Sequence, residues 1–172
     1  VKLYPEDTPS RFEFGTIREK ISRSCQTDKA REFAAELNPF SERDSIARLL
    51  EETAEALNVL DNGIFFPEYA FPAVNHELGM LRVSNAVLEG AQVMKLRKVA
   101  EVAASVIRFL GEKREFFPYL RGIVEGLYAS KELMALIDGL LEPNGFIKSS
   151  ASKELGHARK QLGEARQKAN KA

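Results

Sequence analysis

An all-α fold is predicted by three observations. Apolar residues recur at alternating spacings of three and four, no stretch sustains an alternation of period two, and the expected helix stops coincide with proline, glycine or Asn-Gly. The opening Tyr4-Pro5-Glu6-Asp7-Thr8-Pro9 reads as loop, because each proline biases the residue before it away from helix. Ser10 is the expected cap of a first helix with Phe14, Ile17 and Ile21 on its apolar face. A second helix runs from about Asp28 to Leu37 and stops before Pro39. Ser41 then precedes Glu42, Arg43 and Asp44, a start signal for a strong stripe of Ile46, Leu49, Leu50, Thr53, Leu57 and Leu60 that closes at Asn62-Gly63.

Residues 64–73 are aromatic and carry two prolines, which forbid a long helix and predict packed loop. A short helix near Val74 to Leu81 follows. The longest stripe, Met94, Val99, Val102, Ala103, Val106 and Leu110, predicts a central core helix ending at Gly111. Helices at about Pro118 to Tyr128 and Ser130 to Leu141 complete the body, and Glu142-Pro143-Asn144-Gly145 is a turn. The last helix is different. Leu155, Ala158, Leu162, Ala165, Ala169 and Ala172 form only a narrow seam of the coiled-coil kind. So thin a stripe is marginal alone in water and wants a partner helix. The chain therefore reads as the front piece of a longer protein: a helical core over residues 1–143, then a connector and the first part of a long arm over residues 144–172.

At 172 residues one domain is expected, and a closed domain of that size buries roughly 70% of its unfolded surface. Apolar residues at 44% and charged residues at 29% describe an ordinary globular composition. Twenty-five basic residues meet 25 acidic ones, so the whole chain has no electrostatic footprint of nucleic-acid binding. The last helix is the local exception, with Lys153, Arg159, Lys160, Arg166, Lys168 and Lys171 against Glu154 and Glu164. A single cysteine, Cys25, excludes an internal disulfide and fits a reducing compartment. No apolar run approaches the roughly 20 residues that span a bilayer, and no leader pattern opens the chain. A cytoplasmic location is expected.

Catalytic signatures are missing from the sequence. Neither the phosphate-cradling Gly-x-x-x-x-Gly-Lys-[Ser/Thr] loop nor the dinucleotide fingerprint is present. His76 and His157 lack companions at metal-ligand spacing, so each reads as a solvated or core histidine. Cys25 reads as a small residue packed between helices rather than a nucleophile. Glu51, Glu52 and Glu55 read as a solvated helix face beside Arg48, not an acid–base pair. Phe65, Phe66, Tyr69 and Phe71 lack interleaved Lys or Arg and read as core rather than base-stacking residues. The basic last helix is the remaining nucleic-acid candidate, with Arg159, Lys160 and Arg166 as phosphate contacts, against a solvated coiled-coil exterior.

Four blocks carry a family resemblance: Tyr4-Pro5 with Phe14 and Ile17-Arg18; Leu49-Leu50-Glu51-Glu52-Thr53-Ala54-Glu55; Val106-Ile107-Arg108-Phe109-Leu110; and Gly145-x-Ile147 followed by Ala151-Ser152-x-Glu154-Leu155 and Arg159. In order and spacing they resemble the N-terminal region of the second bacterial type of MutS protein, the recombination-suppressing branch. The chain departs from that pattern at Ser149, where Asp is usual, at Lys153, where Pro is usual, and at Asp28-Lys29-Ala30, which replaces a Pro-Leu-Gly turn.

The resemblance implies a helical core and the base of an outgoing lever, with Leu155 and Leu162 on the lever seam and Val99, Val102 and Val106 in the core. It implies no catalytic, cofactor or metal residue in this chain. In the parent protein it implies an ATPase using ATP and Mg, a homodimer closing on branched or double-stranded DNA, a DNA-repair role, and in many members a nuclease domain. Some members act on stalled ribosomes instead. No membrane partner is implied. The rival reading is a stand-alone helical module that docks on a protein partner through its last helix.

Overall fold

A computed structural model describes Pro5 and residues 7–170. Tyr4 and Glu6 of the opening segment, and Lys171 and Ala172 of the last helix, lie outside the described residues. The described chain is all-α, as its periodicity predicts. Its helices are α1 (Thr8–Arg11), α2 (Phe14–Ser24), α3 (Asp28–Ala35), α4 (Arg43–Asp61), α5 (Asn75–Met80), α6 (Gly90–Glu112), α7 (Pro118–Val124), α8 (Lys131–Leu140) and α9 (Lys153–Ala169), with a 3-10 turn at Ser149–Ala151 before α9. Among the described residues no helix is long and apolar enough to cross a membrane.

Several helix starts differ from expectation. Thr8 to Arg11 is helical rather than loop, since Pro9 sits in the first turn, where its missing N–H costs nothing. Ser10 is inside that helix and caps nothing. The helix carrying Phe14, Ile17 and Ile21 begins only after Glu13, whose φ of 51° is left-handed and breaks the chain between α1 and α2. Ser41 is not a cap either, since Glu42 holds the N-cap position of α4. α6 runs through Gly111 to Glu112, and α7 stops at Val124, short of Tyr128.

Contacts divide the chain into two units. The first comprises Val1–Ala73 with Val102–Ala129, and the second Val74–Glu101 with Ser130–Ala172. In the first, Val59 of α4, Leu110 of α6 and Phe117 form the buried centre, with Phe66, Val106, Phe109 and Leu120 against it. Phe66 meets Phe109 edge-on at 4.9 Å and Phe109 stacks on Phe117 at 5.8 Å, geometries that suit the aromatic quadrupole. The aromatic loop is thus core at Phe66, while Phe65, Tyr69 and Phe71 are exposed. Cys25 is half-buried in the bend between α2 and α3, its thiol donating to the Ile21 carbonyl at 3.3 Å.

The stripe that predicts α4 is not the face that α4 buries. Ile46, Leu50, Leu57 and Leu60 are exposed, and the buried residues are Glu55 and Val59 on the other side. Glu55 is therefore no solvated residue. Its carboxylate accepts the backbone N–H groups of Tyr119 at 2.9 Å and Leu120 at 2.7 Å. α7 has no side-chain cap of its own, so a glutamate 64 residues away supplies what its first turn lacks.

In the second unit Ile137 and Leu141 are buried, and Ser130 caps α8 by accepting the Leu133 N–H at 3.1 Å. Glu77 of α5 is only 2% exposed and accepts from the Lys95 ammonium at 2.9 Å. That hydrogen bond, with the backbone N–H of Glu77 itself, holds the carboxyl below the usual carboxylate range.

Candidate lever root and nucleic-acid interface

The approach to the last helix is a tight hairpin. Leu141 and Ile147 form an antiparallel bridge; Glu142 N–H donates to Phe146 O and Lys148 N–H to Leu140 O, both at 2.8 Å. The turn between them closes through Gly145 N–H to Glu142 O at 2.8 Å, and Gly145 takes a φ of +83° that favours glycine. This turn lies directly on the start of α6. A Cβ on Gly90 would stand 1.9 Å from the Gly145 carbonyl oxygen, so only glycine permits the approach.

Side chains then tie the hairpin to α8 and α6. The Lys148 ammonium donates to the Asp138 carbonyl at 2.5 Å. The Asp138 carboxylate takes two bonds from the Arg97 guanidinium, Nε at 2.5 Å and Nη2 at 3.0 Å, the paired geometry that Arg gives and Lys does not. Arg97 holds the Asp138 carboxyl low, and Asp138 raises Arg97 in turn, with Glu101 a further partner at 3.3 Å.

α9 starts from Ser152, whose hydroxyl accepts the Leu155 N–H at 3.1 Å. Glu154 in its first turn is held below the ordinary range, first by its own backbone N–H and then by the Ser152 hydroxyl. Two further contacts root the helix. Gly156 lies against Ser149, where a Cβ would meet the Ser149 carbonyl at 3.0 Å. One turn later, Arg159 Nη1 donates both to the Ile147 carbonyl at 2.8 Å and to the Ser149 hydroxyl at 3.0 Å.

Of the residues the sequence singles out here, Leu155 is half-buried at the root and Leu162 is exposed on the seam. Lys160 and Arg166 are exposed. Arg159 and Arg166, seven residues apart, share a side of α9 next to the seam, whereas Lys160 stands roughly 100° further round. The three do not make one patch. Ahead of Lys153 the second unit carries as many acids as bases, so its whole positive excess belongs to the last helix. In the core helix Val102 is buried, with Val99 and Val106 half-buried. His76 and His157 are exposed, and among the described residues no three His, Cys, Asp or Glu side chains converge where a metal ion would sit.

The arrangement offers anchoring and charge. Sequence reasoning missed the Arg97–Asp138 pair and the Gly90–Gly145 contact. Each joins residues more than 40 positions apart, and no local pattern announces such a pair.

No family model matches the chain. Curated relatives do. It is 31% identical over 160 residues, 91% of its length, to "Endonuclease MutS2" of Thermomicrobium roseum. It is 23% identical over 152 residues to the protein of that name from Aquifex aeolicus, and 27% over 154 residues to that from Pediococcus pentosaceus, covering 88% and 86% of the chain. It spans about a fifth of the length of these relatives. Most of this chain is therefore related to a region of proteins that bear that name.

Proposed function

We propose that this chain is the helical core and lever base of a MutS-like, ATP-dependent DNA-binding protein of DNA repair and recombination suppression. Residues 1–143 serve as core, and residues 144–172 as connector and first part of the lever. Its own role is mechanical and non-catalytic. The ATP and Mg sites, any nuclease centre and the closure of a homodimer on branched or double-stranded DNA belong to the parent protein. The observation that carries this reading is the build of α9. It is clamped to a hairpin at its root, and from Lys160 to Asn170 it is exposed on every side, with an apolar seam at Leu162 and a positive excess. Kinship over most of the chain with proteins named Endonuclease MutS2 supports it.

Lys160, Arg166 and the uncommitted donors of Arg159 are the phosphate contacts of this reading. In the full-length protein, alanine at all three lowers affinity for branched DNA and flattens the dependence of log K on log salt by about 0.9 for each phosphate no longer neutralised. Fluorescence anisotropy between 50 and 200 mM salt, a range set by the counterion effect, measures this. An unchanged slope removes the interface from α9. A ribosomal target for the parent predicts instead that the same variant loses ribosome binding and keeps its DNA slope. The exposed Leu162 also fits the rival, a stand-alone helical module, which predicts that the isolated chain binds a protein partner and never nucleic acid.

A further inference from the structure

We infer that Arg159 is a positioning residue that sets the direction in which α9 leaves the hairpin of the second unit. It does so by bolting the second turn of the helix to the segment 147–149. The functional consequence rests on the core-and-lever reading; the anchoring itself does not.

Ser152 is the single extended residue between the 3-10 turn and α9, with φ −147° and ψ 157°. One extended residue is a pivot. Its hydroxyl caps the helix but does not fix the angle at which the helix departs, because the cap bonds turn with the first turn they satisfy. Two contacts remove that freedom. Gly156 brings the α9 backbone against Ser149, and Arg159 reaches back 12 residues to the Ile147 carbonyl and 10 to the Ser149 hydroxyl. Beyond Arg159, residues 160–170 are all exposed.

The segment that Arg159 grips is itself held. Lys148 bonds the Asp138 carbonyl, Arg97 of α6 holds the Asp138 carboxylate, and Gly145 rests on Gly90 at the start of α6. A displacement of the α6 start therefore moves the hairpin, and Arg159 hands that displacement to α9. The leverage is large. Seventeen residues at 1.5 Å each make α9 about 25 Å long, so a swing of about 10° at the root carries its far end about 4 Å. Guanidinium is suited to the clamp, because one nitrogen satisfies two acceptors while the planar group stays rigid.

Spin labels test this on the chain itself. With Cys25→Ala as background, one pair is placed at Lys131→Cys on α8 and Gln167→Cys on α9. A second, Lys160→Cys with Gln167→Cys, lies within α9. Pulsed electron resonance gives the distance distributions. Arg159→Ala widens the α8–α9 distribution by several ångströms and leaves the pair within α9 unchanged. Arg159→Lys keeps the charge and still widens it, and Arg166→Ala leaves it as narrow as the parent. An α8–α9 distribution that stays narrow in Arg159→Ala overturns the inference. So does widening of both pairs, which would mean that Arg159 holds the helix together rather than aiming it. Since no DNA is present, a failed salt-slope experiment leaves this result standing, and the converse holds equally.

Discussion

Glu55 shows how one side chain replaces a missing local signal. Phe117 precedes Pro118 with no Ser, Thr, Asp or Asn to cap α7, so the first-turn N–H groups need partners from elsewhere. Glu55 provides both bonds from a site only 9% exposed. Glu55→Ala leaves these donors unpaired beneath protein and costs about 1.5–3 kcal/mol, the range for a hydrogen bond to a charged group. Glu55→Gln keeps one carbonyl acceptor and loses less. Urea unfolding of the two variants at neutral pH checks the order; equal stability of Glu55→Ala and the parent removes the latch. The absent cap was legible in the sequence. Its substitute was not, because Glu51, Glu52 and Glu55 are alike as residues and only packing distinguishes Glu55, whose carboxylate reaches α7.

At the scale of elements, periodicity located the helices well and their starts poorly. A stripe such as Met94 to Leu110 extends over many turns and averages out local exceptions, and α6 duly occupies Gly90–Glu112. A start depends on one residue's backbone state, and Glu13 in the left-handed region separates α1 from α2 without any sequence sign. Glycines divide in the same way. Gly90 and Gly163 look equivalent in sequence, both in helices, yet a Cβ on Gly90 would stand 1.9 Å from the Gly145 oxygen while Gly163 faces open space. Gly163→Ala should therefore stabilise α9 by up to about 1 kcal/mol through helix propensity alone. Gly90→Ala must push the hairpin off α6 and lower the thermal midpoint. Calorimetry of both variants distinguishes them, and a neutral Gly90→Ala would mean that the hairpin does not rest on α6 in solution.

Across the whole molecule, the expectation that fails is the size of the core. Among the described residues the buried apolar side chains are Ala34, Val59, Val102, Leu110, Phe117, Ile137 and Leu141, a small set beside what a closed domain of 172 residues buries. The shortfall has names: Phe33, Phe40, Leu50, Leu60, Ile123 and Phe146 are all at least half exposed. Composition counted these residues as core because composition does not know which of them meet a partner. The denaturant dependence of unfolding reports the same quantity, since m scales with the area exposed on unfolding. The urea m-value of this chain should fall below that of closed domains of its length. Measuring it by circular dichroism at two protein concentrations separates the alternatives. A low m-value independent of concentration means that the apolar faces are open in the isolated chain. A full-sized m-value with a midpoint that climbs with concentration means that copies of the chain cover those faces for one another.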